Sequence, residues 1–189
     1  MPHRHTRHVT DVASLRAIAH PLRVRLLAAL RIDGPATASE LARKLGESSG
    51  STSYHLRQLA RYGFIEEDPE QPNARDRRWR AVHAYTSWRD SDFADQPEGL
   101  EASRWLRARA REHFAATAER FESESWSPEW RDAAGHSNTV LRLTPRSLRE
   151  LHDRVLDLAH EYAVRDADAP DTEQVALFFS GFPIREYLD

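Results

Sequence analysis

Two short apolar-periodic stretches, Ala38 to Leu45 and a second that starts after Ser48 or Ser49 and runs to Tyr62, are separated by only a few residues. That spacing is the strongest constraint in the chain. In the first stretch Thr37 and Glu40 stand at capping-box spacing, Leu41 and Leu45 share one face, and Gly46 marks the stop. In the second, Leu56 and Leu59 are the apolar anchors, Ala60 lies beside them, and Gly63 ends the helix. Two helices joined by so short a turn form a helix-turn-helix unit.

The flanking segments fit around that unit. Thr10 is read as the N-cap of a short helical pattern over 11–18 with Leu15 and Ile18 on one face, and Pro21 opens a second carrying Leu22, Val24, Leu26, Leu27 and Leu30. After Gly63 the period changes. Phe64 to Glu67 reads as a strand, Asp68 to Asp76 holds Pro69, Pro72 and Asn73 and reads as a turn, and Arg77 to Val82 reads as the returning strand. A period of two puts Arg78 and Arg80 on one face and Trp79 and Ala81 on the other, with Arg75 and Arg77 at the tip. Charge on an edge strand can be a guard against aggregation. Directly after a helix-turn-helix, contact of Arg75, Arg77 and Arg78 with phosphate or the minor groove is the favoured reading.

The second half carries a helical stripe of Leu106, Ala110, Phe114, Ala118 and Phe121, predicting a helix from about Pro97 to Glu124. So long a helix needs a partner surface, and the same helix of a second subunit is the simplest one. Trp126, Pro128 and Trp130 stand in the break that follows. Ser137 to Leu143 alternates as a strand, Thr144-Pro145 starts a helix with Leu148, Leu151, Val155, Leu158 and Tyr162, and Gln174 to Phe182 reads as a second strand. Among the aromatic residues of this half and its approach, Trp88, Trp105, Trp126 and Phe179 are candidates to line an apolar effector pocket; core and dimer packing is the alternative.

Charge divides along the same line. Residues 1–90 hold 15 Lys+Arg against 10 Asp+Glu, whereas residues 91–189 hold 12 against 20. A basic front half on an acidic back half suggests a polyanion-binding module fused to something else. No cysteine is present, so disulfides and thiolate metal sites are excluded. No apolar run has the length of a membrane span and the N-terminus lacks a signal-like apolar region, so the expected compartment is the cytoplasm. Nothing resembles a phosphate-cradling glycine loop, a Gly-x-Ser-x-Gly elbow or an HExxH pair, so an enzyme is the least supported class. No cofactor is expected.

Taken in order, HPLRVRLLAAL, ASELARKLG, STSYHLRQLARYGFIEE and DRRWRAV resemble the ArsR-type winged-helix transcriptional regulators over roughly residues 11 to 90. The resemblance implies a homodimer that occupies operator DNA, more often as a repressor, with the second helix (residues 49–62) in the major groove and a wing (68–80) against the flanking backbone or minor groove. Carried over by position, it puts Ser49, Gly50, Ser51, Ser53, Tyr54 and Arg57 on the DNA side, while His55 is as readily a packing residue as a contact. Arginine at such positions can fork onto phosphate or guanine. The Cys-x-Cys metal motif of the founding members is replaced by Ser39-Glu-Leu-Ala-Arg-Lys44, and neither Glu112-His113 nor His152 and His160 makes a convincing ligand set, so no metal site is assigned. Two alternatives stay open: a winged-helix protein-interaction module, and a metal-responsive regulator using His and carboxylate ligands. The expected organisation is α+β and mostly helical: a flexible basic tail (1–9), a winged helix-turn-helix domain (10–92), and a C-terminal dimerisation and effector region (93–189) made of the long helix and a small strand-helix-strand unit.

Overall fold

A computed structural model describes residues 6–70, 77–135, 137–167 and 169–185. The elements in order are β1 (Thr6–Val9), α1 (Val12–Ile18), α2 (Pro21–Ile32), β2 (Ala36–Thr37), α3 (Ala38–Leu45), α4 (Ser49–Arg61), β3 (Ile65–Glu67), β4 (Arg78–Ala81), β5 (Tyr85–Trp88), a 3-10 turn (Asp90–Phe93), α5 (Pro97–Ser123), α6 (Pro128–Ala133) and α7 (Pro145–Arg165). Two compact units divide at Arg111 and Glu112, within α5.

In the first unit α1 starts one residue later than the sequence reading, with Asp11 rather than Thr10 as its cap, because the Asp11 carboxylate accepts from the Ser14 N–H at 2.7 Å. The expected capping box of Thr37 and Glu40 closes reciprocally at the start of α3. Gly46 ends α3 at φ 68°, a left-handed conformation that a side chain disfavours, and this lets the chain turn into α4 within three residues. Leu15, Leu26, Leu56 and Leu59 are fully buried, and Ile18, Leu22, Leu27, Leu30, Leu41, Phe64, Ile65 and Trp79 close the core around them. β4 pairs antiparallel with both neighbours in the order β2-β4-β3, setting Trp79 opposite Ala36 and Glu67. The mostly helical α+β class and the winged helix-turn-helix followed by a long helix hold.

The tail expectation does not hold for residues 6–9. They form β1, paired in parallel with β5, and residues 1–5 lie outside the described residues. The cause lies in side chains that tie β1 down at both faces. The Arg7 guanidinium lies 4.0 Å over the Phe64 ring and donates to the Tyr62 carbonyl and, at 3.4 Å, to Ser14 Oγ. His8 bridges Ser87 Oγ at 3.1 Å and Asp92 at 3.0 Å. Val9 is 2% exposed.

α5 joins this core through its first turns. The Trp88 indole donates to Ser103 Oγ at 2.8 Å, Ser103 donates to Asp90 at 2.7 Å, and Arg107 grips the same carboxylate at 2.6 and 2.9 Å. These bonds, led by Arg107, hold the Asp90 carboxyl below its ordinary range. Gly99 is where α5 approaches the 3-10 turn most closely: a Cβ there would meet Phe93 atoms at 2.8 to 2.9 Å. Phe93 is fully buried, so its ring has nowhere to go. Gly99→Ala is expected to lower the unfolding free energy by about 1 to 3 kcal/mol despite its better helix propensity. Thermal unfolding checks this, and an unchanged or raised Tm would show that the ring can yield.

The second unit contains the end of α5, then α6 and α7. Thr144 caps α7 by accepting from the Ser147 N–H at 3.1 Å, as Thr144-Pro145 led one to expect. α6 occupies part of the segment read as a break. The two flanking strands are not formed: none of the described residues of 137–143 or 174–182 joins a ladder. Their apolar residues stay exposed, among them Val140, Leu141, Val175 and Leu177. α7 buries none of its residues, and Leu158 and Tyr162 of its stripe are each 52% exposed. The alternation is a strand pattern without a paired neighbour among the described residues. None of the described helices is long and apolar enough to cross a membrane.

Candidate nucleic-acid interface

The faces of α4 are assigned by burial. Thr52, Leu56 and Leu59 are each 0% exposed and turn inward, whereas Ser49, Gly50, Tyr54 and Arg57 are exposed and Ser51, Ser53 and His55 are half-buried. Ser48 caps the helix by accepting from the Ser51 N–H at 3.2 Å. Nothing lies within 4 Å of a Cβ built on Gly50. That glycine is not demanded by the protein's own packing.

A recess of about 190 Å³ opens where α3, α4 and the wing meet, lined by Thr37, Ala38, Ser39, Ser53, Arg57, Arg77 and Trp79. Its chemistry is that of an anion seat. The capping box uses the Thr37 and Glu40 N–H groups, so those of Ala38 and Ser39 are the remaining donors at the start of an eight-residue helix. Three hydroxyls, that of Thr37 already engaged in the capping box, and two guanidiniums line the same recess. The Thr37 hydrogen bonds also keep the Glu40 carboxyl below its ordinary range.

The wing arginines are not equivalent. Arg80 closes both guanidinium nitrogens on Glu66 at 2.9 and 2.7 Å across the β3–β4 ladder. Arg78 donates to the Pro35 carbonyl and stands 4.0 Å from Glu40, so it braces the hairpin against the start of α3. Arg77 lies 3.1 Å from Glu67, is 59% exposed, and borders the recess. Arg57 makes no hydrogen bond or ion pair among the described residues. Arg75 falls on 71–76, outside the described residues.

Sequence reasoning named Ser53, Arg57 and Arg77 and missed Thr37 and Ser39. Their signal was present: the capping box that marks a helix start also marks where free N–H groups gather. Thr52 was missed for the opposite reason, because its hydroxyl is buried with no partner. Thr52→Val keeps the shape and removes that polar atom, so it is expected to raise stability by about 1 kcal/mol. A lower urea midpoint would mean that the hydroxyl has a partner after all.

The four aromatic residues expected at an effector pocket fall in different surroundings. Trp88 is engaged with Ser103. Trp105 borders a groove of about 540 Å³ lined also by Arg16, Arg23, Tyr62 and Glu98. In the second unit Trp126 stacks on Phe121 at 5.9 Å, and Phe179 meets the His152 ring edge-on at 5.2 Å. Among the described residues no group of three or more His, Cys, Asp or Glu side chains could hold a metal ion.

A family model agrees with this geometry at the level of the domain. The helix-turn-helix domain family matches residues 18–68. No curated protein matches the chain. Among solved structures, the chain is similar to HlyU from Vibrio cholerae N16961 (26% identity over 38% of this chain and 74% of that one, TM-score 0.33). It is also similar to an ArsR family transcriptional regulator (26% identity, 60% and 91%, TM-score 0.31). A third is the transcriptional repressor BigR from Xylella fastidiosa (19% identity, 51% and 82%, TM-score 0.34). Residues 18–68 match the helix-turn-helix domain family, and the β3–β4 hairpin beside them gives this part of the chain a winged helix-turn-helix fold.

Proposed function

We propose that the protein is a sequence-specific transcriptional regulator that binds operator DNA as a homodimer and represses by occupying promoters. The observation that carries this reading is the recess between α3, α4 and the wing, where Arg57 and Arg77, Ser39 and Ser53 and the first N–H groups of α3 converge. It has the size and donors to take one backbone phosphate. With that phosphate held, Ser49, Gly50, Ser51 and Tyr54 on the outer face of α4 stand toward base edges in the major groove. The homodimer is supported by the unburied stripe of α7 and the exposed apolar segments of the second unit, for which a second copy of the chain supplies the covering surface.

Selection from a random DNA library tests the proposal, with light scattering for the mass of the complex. The expected outcome is an operator of two half-sites about one helical turn or a multiple apart, with affinity falling steeply as salt rises. A protein with no preference over bulk DNA is not this regulator. A promoter fusion carrying the selected site then gives the sign, repression being expected.

A further inference from the structure

Two histidines meet behind the outer face of α4. His20 is the cap of α2: its backbone is extended (φ −149°, ψ 133°) and its Nδ1 accepts from the Leu22 N–H at 3.2 Å. His55 lies on α4, and its ring centroid is 4.3 Å from that of His20, the planes tilted by 35°. Tyr54, 52% exposed on the same helix, packs edge-on against His55 at 5.1 Å. The start of α2 and the outer residues of α4 are thereby joined through one ring pair. The pair borders neither the recess nor the groove.

We infer that His20 is a positioning residue for α4, and that its contact with His55 makes DNA binding sensitive to protons, affinity falling as the pair becomes charged.

The capping bond fixes the neutral tautomer, because an Nδ1 that accepts must carry its proton on Nε2. A proton added at Nδ1 turns that acceptor into a donor aimed at another donor. The cap is lost, and the new cation sits at the positive end of a 12-residue helix. On the other ring, His55 Nδ1 is buried without a hydrogen-bond partner, so a charged imidazole there buries an unpaired donor. Two imidazolium rings at 4.3 Å also repel one another.

The charged and titratable neighbours mostly push the same way. Arg23, from α2, opposes a proton on either ring. Tyr54 and Tyr62, from α4 and its end, face Arg23. Glu47, from the turn before α4, alone favours a charged His55, and it is engaged by Arg25 at 3.0 Å. Burial first, then Arg23 for His20, and His20 and Arg23 for His55, hold both groups below the ordinary 6.5. Below that value the unfolded chain binds more protons than the folded one. The stability from the neutral pair is therefore complete above pH 6.5 and is lost as pH falls beneath it toward the folded values.

Simple electrostatics gives the opposite sign for binding, since added positive charge near DNA tightens non-specific attachment. A fall in affinity on acidification therefore has the sign of the ring pair and not of simple attraction, and its loss in the double variant separates the pair from His83. The binding half of the inference rests on the DNA-regulator reading; the protein-alone half does not.

The experiment compares the full chain with His20→Asn, whose side-chain oxygen keeps the α2 cap, and with the His20→Asn/His55→Gln double variant. Binding to the selected duplex is measured at pH 7.5 and 5.5, and Tm without DNA across the same range. The native protein is expected to lose about tenfold in affinity between the two pH values, the double variant less than about twofold. The double variant's Tm should also vary less with pH, while His83, whose pKa burial also lowers, is common to all three proteins. An equal affinity ratio in native protein and double variant, or native binding as tight at pH 5.5, overturns the inference. If no duplex binds at either pH the regulator reading fails, and the Tm comparison alone decides: the same pH dependence in native and double variant refutes the pair, a flattened one supports it as a proton-sensitive brace of α4.

Discussion

Leu56→Ala is expected to lower the unfolding free energy by about 3 to 4 kcal/mol. Leu56 is 0% exposed and sits with Leu59 on the face of α4 that closes against α2 and α3. Removing its isobutyl group leaves a cavity walled by α-helices whose caps, at His20, Thr37 and Ser48, are already satisfied and resist collapse. The comparison is Tyr54→Ala two residues away, where a ring that is 52% exposed is lost and the change should stay within about 0.5 kcal/mol. Urea titration of both variants measures the difference. Similar midpoints for the two would mean that α4 is not held to the core by the face assigned here.

That assignment of faces is legible in the sequence. Thr37 with Glu40, Gly46, and the Leu56–Leu59 spacing are local signals, each acting within a turn or two of chain, and each reappears as a cap, a left-handed stop or a buried anchor. What escaped was non-local. β1 and β5 are four-residue strands whose register depends on Arg7 reaching Phe64 and His8 reaching Asp92, partners more than fifty residues away. No periodicity announces such pairs. The same limit applies to the wing, where counting arginines suggested one basic surface. Glu66, Glu67 and Glu40 were equally visible in the sequence, yet only the antiparallel register shows that Arg80, Arg77 and Arg78 answer them. In the second unit the alternation over 137–143 and 174–182 is real in the residues, but a strand needs a partner, and apolar alternation alone does not name one.

Arg57→Ala is expected to weaken operator binding about 10- to 100-fold and to reduce the slope of log affinity against log salt by about 1 per protomer. Two features single this residue out. It is exposed on α4 at the edge of the recess that holds Ser53, Ser39 and Arg77, and it makes no hydrogen bond or ion pair among the described residues. A guanidinium with no partner among the described residues gives up none of their hydrogen bonds when it turns to a phosphate, and releasing that phosphate's counterion is what salt opposes. Arg78 is the informative contrast. Its donation to the Pro35 carbonyl and its position near Glu40 make it a brace between the hairpin and α3, so Arg78→Ala should lower Tm and misplace the wing while leaving the salt slope of the residual binding nearly unchanged. Arg77, at 3.1 Å from Glu67, stands between the two, because a phosphate must compete with a carboxylate for it. Measured together, the three slopes locate the phosphate. A slope lost with Arg78 and kept without Arg57 would move the anion seat away from the recess and out onto the wing.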